Sequence, residues 1–148
     1  ETDPTITLAR EQILNLLPYG SDFLFLNRAT ITKGRSITAE MSYRADDRML
    51  QAHFRGGPAV VPGAILAEQV SQASLLLAIL SEKVLAGQPF VVGRLRCKFS
   101  NPAVADCTVR VTVEFELVTP PRFAFRGFAE CAGERLADVE LIAALRDF

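Results

Sequence analysis

The chain has 148 residues, 49% of them hydrophobic, which suits one domain burying roughly 68–70% of the surface its unfolded form exposes. Sixteen basic and 17 acidic side chains nearly cancel, so no global field would hold a polyanion such as nucleic acid, and a charged partner must meet a local patch. The longest unbroken apolar run, residues 75–80, is far shorter than the roughly 18 residues of a membrane span, so no membrane is expected.

Ile13, Leu14, Leu16 and Leu17 give a short apolar helical face that Pro18 and Gly20 stop, predicting a brief leading helix. Residues 23–32 follow as a strand and Lys33-Gly34 as a tight turn. Residues 36–43 then close a hairpin, with Ile37, Ala39 and Met41 alternating against Ser36, Thr38, Glu40 and Ser42. Residues 44–58 are polar and read as irregular. From Gly63 to Leu80 nearly every side is apolar, which predicts a helix wrapped by other structure; Ser81-Glu82-Lys83 break the pattern, and Gly87 and Pro89 end it. Strands are predicted over residues 90–99, 107–118, 123–131 and 135 to about 145, with turns at Asn101-Pro102, Pro120-Pro121 and Ala132-Gly133. Phe123, Phe125 and Phe128 read as core. This order has no strand–helix–strand alternation to demand a parallel sheet, and no repeat or linker divides it. The expectation is an α+β fold in which an antiparallel sheet curls around one long central helix.

His53 is the only histidine. It opens the stretch His53-Phe54-Arg55-Gly56-Gly57-Pro58-Ala59-Val60-Val61-Pro62-Gly63, and Glu68 follows on the apolar helix. An imidazole changes charge near neutral pH, and a carboxylate on so apolar a segment must be exposed, paired or functional, so the two together point to acid–base chemistry. Gly-Gly-Pro and Pro-Gly fix turns and start a helix, which makes the loop a shaped backbone. Gln72, one turn beyond Glu68, is placed to hydrogen-bond it or to fix a neighbouring backbone group. Arg94, Arg96 and Lys98 alternate along a strand and therefore share one face, either as a basic docking stripe or as an ordinary solvated surface. Cys97, Cys107 and Cys131 are odd in number, far apart and without C-x-x-C spacing. They read as reduced, partly buried filler, which favours the cytoplasm and argues against a metal site.

Several of these segments carry a family pattern. Leu16-Leu17-Pro18 and Phe23-Leu24-Phe25-Leu26-Asn27-Arg28, His53-Phe54 with Pro62-Gly63, Glu68 with Gln72, and Phe99, Pro102 and Asp106 together resemble the FabZ-type 3-hydroxyacyl-ACP dehydratases. Residues 137–143 are similar to the family's closing strand. The resemblance covers nearly the whole chain and implies one hotdog domain over residues 1–148. It also implies loss of water from a 3-hydroxyacyl thioester on an acyl carrier protein, giving a 2-enoyl thioester in fatty-acid or polyketide biosynthesis, with no cofactor. His53 would take the C2 proton, Glu68 from the other subunit of a dimer would protonate the departing hydroxyl, and the Gly63 N–H would stabilise the thioester oxygen. Val60 would orient the imidazole through its carbonyl. Val60, Gln72 and Phe54 would line the substrate site, and an apolar tunnel at the subunit interface would hold the acyl chain. The stripe of Arg94, Arg96 and Lys98, joined by Arg122 or Arg126, would meet the acidic carrier.

The chain departs from that pattern. Gly57 stands for a second histidine, Arg55 for a proline, and the loop from His53 to Pro62 is one residue longer. The extra residue either displaces His53 by about 3.3–3.6 Å along an extended chain or bulges outward at Gly56-Gly57. Tyr19-Gly20-Ser21-Asp22 replaces His-Arg-Tyr-Pro. Two other readings therefore stand beside the dehydratase: a non-catalytic hotdog subunit paired with a related active chain, and a hotdog acyl thioesterase. The partner chain is accordingly a second copy or a related hotdog chain.

Overall fold

The computed structural model describes residues 4–146, so residues 1–3 and 147–148 of the expected domain lie outside the described residues. Its strands are β1 (Thr5–Ala9), β2 (Arg28–Thr32), β3 (Ser36–Tyr43), β4 (Phe90–Phe99), β5 (Cys107–Thr119), β6 (Arg122–Cys131) and β7 (Glu134–Leu145); its helices are α1 (Arg10–Leu16), α2 (Arg48–His53) and α3 (Gly63–Leu80). The strands form one antiparallel sheet in the order β1-β2-β3-β5-β6-β7-β4. Alternation gives the sheet an apolar face, with Ile37 and Ala39 of β3, Val111 and Val113 of β5, and Phe123 and Phe125 of β6 all buried. That face closes on α3. Sheet around helix is the α+β hotdog arrangement expected from the sequence.

Helix α3 is apolar all round because it is covered all round: 13 of its 18 residues are buried. By length and a mean hydropathy of 1.5 it could cross a membrane, yet 72% of it is buried inside the fold, as a core helix would be. Each of its fully buried leucines contributes roughly 1.5–3 kcal/mol. The buried polar residues on the helix are satisfied. Gln69 accepts from the Tyr43 hydroxyl at 2.8 Å and donates to the Val109 carbonyl at 3.0 Å, and the Ser74 hydroxyl donates to the Val70 carbonyl at 2.8 Å. The helix lies close on β6 because Gly127 has no side chain: a Cβ there would sit 2.8 Å from the Thr112 carbonyl oxygen and 3.3 Å from Val70.

Four local expectations are corrected. The strand expected over residues 23–32 begins only at Arg28, after a 3-10 turn at Ser21–Phe23. Leu24, Phe25 and Leu26 are buried consecutively instead of alternating, because side chains replace the ladder as backbone partners. The Arg10 guanidinium donates to the carbonyls of Ser21, Leu24 and Leu26 at 2.9, 3.1 and 3.1 Å, and Gln72 takes the groups between. Strand β1 was not anticipated; it is five residues long and buries only Leu8. The polar stretch 44–58 contains α2, whose six residues bury only Leu50, too short a helix for periodicity to show. Phe128, expected in the core, faces outward from β6 and lies beneath the Arg135 guanidinium, 3.8 Å from the ring centre.

Candidate active site

His53 ends α2, so a single short helix aims its ring. The turn before that helix is tied down, with the Ala45 N–H donating to Asp106 and the Arg44 N–H to Asp47, both at 2.8 Å. Past His53 the chain turns through Gly56, whose φ of +73° favours glycine, and the Gly57 N–H donates to the Phe54 carbonyl at 3.1 Å. Residues 54–58 are exposed, so the extra residue of the loop bulges outward. The chain is then pinned again: the Ala105 N–H donates to the Ala59 carbonyl and the Val61 N–H to the Ala103 carbonyl, both at 2.9 Å. Between those anchors the Val60 carbonyl stands 2.8 Å from His53 Nδ1. A carbonyl oxygen only accepts, so Nδ1 carries the proton and Nε2 of the neutral ring keeps its lone pair. The Phe54 ring stacks on the imidazole, with centroids 4.0 Å apart, and covers one face.

The imidazole opens on a cleft whose other walls include Val60, Gly63, Leu66, Phe99 and Pro102. Gly63 is the first residue of α3, where an N–H has no acceptor within the helix. The Phe99 ring lies over it; a Cβ on Gly63 would come within 3.1 Å of that ring. A base, an N–H at a helix start and an apolar rim therefore share one opening.

Glu68 lies elsewhere. It follows Gly63 by five residues, which turns it about 140° around the helix and moves it roughly 7.5 Å along the axis. It does not line the His53 cleft. Glu68 is half-buried, and burial pushes its carboxyl above the ordinary carboxylate range, partly offset by a hydrogen bond from Gln72 at 3.1 Å. Gln72, expected to touch substrate, is fully buried, and its amide is committed: Oε1 accepts from the Phe25 N–H at 2.9 Å, and Nε2 donates to the Phe23 carbonyl at 2.8 Å and to Glu68. It holds the carboxylate, and none of its own surface is exposed. The rings of Tyr19, Phe23 and Phe25 pack against one another beside the backbone groups that hold Gln72, and sequence reasoning gave none of them a role; their distance in sequence from Gln72 hides the contact. Arg10 was missed for the same reason.

Arg94, Arg96 and Lys98 are exposed on one face of β4, as their alternation predicts. Acidic residues run beside them: Arg96 is 3.8 Å from Glu140, and Lys98 stands opposite Asp138 across the strands, whereas Arg94 stands opposite Ile142. Cys97, Cys107 and Cys131 are unpaired and partly buried, and no cluster of three or more potential metal ligands occurs among the described residues.

A family model described as a FabA-like domain matches residues 17–145. The 3-hydroxyacyl-[acyl-carrier-protein] dehydratase FabZ of Erythrobacter litoralis is 29% identical over 141 residues, covering 93% of this chain and 92% of that protein. The protein of the same name from Myxococcus xanthus is 28% identical over 139 residues, covering 92% and 90%. Among solved structures, the dehydratase heterocomplex ApeI:P from Xenorhabdus doucetiae superposes with a TM-score of 0.74 at 13% identity, over 91% of each chain. A hypothetical thioesterase with coenzyme A from Streptococcus pneumoniae reaches 0.60 at 12% identity, over 77% of this chain and 80% of that one. At such identities these two structures establish the fold alone. The family model, by contrast, spans the His53 loop, α3 and every strand from β2 to β7, and by that match the chain belongs to the FabA-like domain family.

Proposed function

We infer that this protein removes water from a 3-hydroxyacyl thioester carried on an acyl carrier protein, giving a 2-enoyl thioester in fatty-acid or polyketide assembly. The observation that carries the reading is the His53 ring, tethered through Nδ1 to Val60 and free at Nε2, beside the first N–H of α3. Nε2 takes the proton from C2 of the substrate, and the Gly63 N–H stabilises the thioester oxygen as negative charge grows on it. The C3–O bond then breaks, and Glu68 gives its proton to the departing hydroxyl. Burial of Glu68 suits that role, because it favours the protonated form that an acid must carry. One proton is taken and one is given, with no change of oxidation state, so the reaction calls on no cofactor. Phe54, which is exposed and stacked on the base, borders the acyl chain.

Glu68 does not line the cleft on which His53 opens, so a second chain completes each site. Strand β4 supports this. It pairs with β7 on one side, its other edge is free among the described residues, and its apolar Leu95 and Phe99 are 49% and 53% exposed. A long free edge with exposed apolar side chains is a pairing surface. Two chains joined there would bring two stripes of Arg94, Arg96 and Lys98 together as a docking face for an acidic carrier protein. Three unpaired thiols fit a cytoplasmic setting.

A second reading keeps the fold and replaces the partner: a related hotdog chain supplies the missing half of the site. Gly57 in place of the family pattern's second histidine favours it. The test is to incubate the purified chain with 3-hydroxyacyl carrier protein and follow the acyl mass. Loss of one water that disappears in His53→Ala supports dehydration. Release of free acid would replace it with a thioesterase, and no change until a related chain is added would make this protein one half of a heteromer.

A further inference from the structure

Among the described residues, three polar side chains line the His53 cleft, a space of about 360 Å³: His53 itself, Ser100 and Asn101. His53 is the base, and the Ser100 hydroxyl, which rotates, can donate or accept. Asn101 differs because half of its amide is committed. Its Nδ2 donates to the Arg135 carbonyl at 2.7 Å. A carbonyl oxygen only accepts, so the amide nitrogen must face Arg135, and the amide oxygen is left as the free end. Asn101 Oδ1 has no partner among the described residues.

The backbone that carries Asn101 is fixed as well. The Ser100 N–H donates to the Leu136 carbonyl at 2.8 Å as the chain leaves β4, and Pro102 keeps the residue before it out of the helical region. Just beyond, the same segment is bonded to the His53 loop. The Val61 N–H donates to the Ala103 carbonyl and the Ala105 N–H to the Ala59 carbonyl, both at 2.9 Å, on either side of the Val60 carbonyl that tethers the imidazole. Base and amide are therefore held in one frame. An amide whose only free atom is an acceptor selects an N–H. The thioester arm of an acyl carrier protein supplies one, because its sulfur is joined through two methylenes to a secondary amide. That nitrogen lies five bonds from C2, about 6 Å along an extended chain, which is short enough for both to lie in this cleft. We propose that Asn101 Oδ1 accepts a hydrogen bond from that N–H and so sets where the thioester stands relative to His53. This rests on the dehydratase reading and adds to it the group that reads the arm. Asn101 is a positioning residue and takes no part in the proton transfers.

The test pairs a substitution in the protein with one in the substrate. Wild type and Asn101→Ala are assayed for water loss from two 3-hydroxyacyl thioesters. One is the thioester of N-acetylcysteamine, which keeps the amide of the arm; the other is its oxygen-ester analogue, which keeps the length and the carbonyl and exchanges only the N–H for oxygen. Wild type should lose about tenfold in kcat/KM on that exchange, the worth of one hydrogen bond. Asn101→Ala should be slower than wild type on the amide thioester by a similar factor and lose nothing further on the ester. A loss of the Arg135 tether alone would slow the variant on both thioesters equally and leave its preference for the amide intact. That result would overturn the proposal, as would a wild type indifferent to the exchange. A wild-type chain that removes water from neither thioester, nor from 3-hydroxyacyl carrier protein with or without a related chain, would overturn the dehydratase reading itself, so the two failures are distinguishable.

Discussion

Gln72→Leu tests how far the acid depends on the wall beside it. The substitution keeps the volume and the helix but strips three hydrogen bonds, at 2.9, 2.8 and 3.1 Å, from a fully buried side chain. The Phe25 N–H is left buried and unpaired, which costs about 1–3 kcal/mol, and the part-buried Phe23 carbonyl loses a smaller amount. Added apolar contact from leucine returns about 1 kcal/mol. The net loss is about 2 kcal/mol, which lowers Tm by roughly 4–8 °C in a domain of this size. Glu68 also loses the one side-chain donor it has among the described residues, so its carboxyl moves still further above the ordinary range. Activity that needs Glu68 protonated falls as pH rises through that value, so the basic limb of kcat/KM should shift to higher pH. Thermal melts and a pH–rate profile of the purified variant measure both effects. A Tm within about 1 °C of wild type, with a superimposable profile, would refute the reasoning.

Glu68→Gln should abolish turnover and change how stability depends on pH. Burial raises the folded-state carboxyl above its unfolded value, so the folded protein holds that proton more tightly, and stability is lost as pH rises from the unfolded value through the folded one. Glutamine does not titrate; the variant's Tm should therefore gain on wild type as pH rises above the unfolded value, and a constant difference would contradict this. Gly127→Ala places a Cβ 2.8 Å from the Thr112 backbone oxygen, which cannot swing aside. It should cost about 1–3 kcal/mol in urea unfolding, and a neutral result would mean that the Thr112 backbone does not approach Gly127 so closely.

The long-range plan of the fold was legible because it rests on strong periodicities. An 18-residue segment apolar on every side is the central helix whatever surrounds it, and four late strands separated by Pro and Gly turns form the covering sheet. The His53 loop was legible for a different reason: glycine and proline write their turns into the sequence, and the outward bulge at Gly56 is where that composition allows it. What stayed hidden depends on contacts between distant residues. Arg10 takes the carbonyls of residues 21–26 from another element, turning a segment with strand composition into an irregular wall. Gln72 looked available to a substrate because its helical spacing from Glu68 was visible, while the backbone groups that consume its amide, almost 50 residues earlier, were not. Phe128 was misplaced because an aromatic on a strand reads as core unless the facing Arg135, seven residues on and across a turn, is known.

The shared site is tested most directly by mixing two inactive chains. In a two-fold dimer built from His53→Ala and Glu68→Gln subunits, one site pairs the intact His53 of one chain with the intact Glu68 of the other, and the second site has neither. Random reassembly should restore about a quarter of wild-type turnover, since half the dimers are mixed and each has one working site of two. If base and acid instead worked within one chain, no mixture would contain a complete site, and activity would stay at the level of the separate variants.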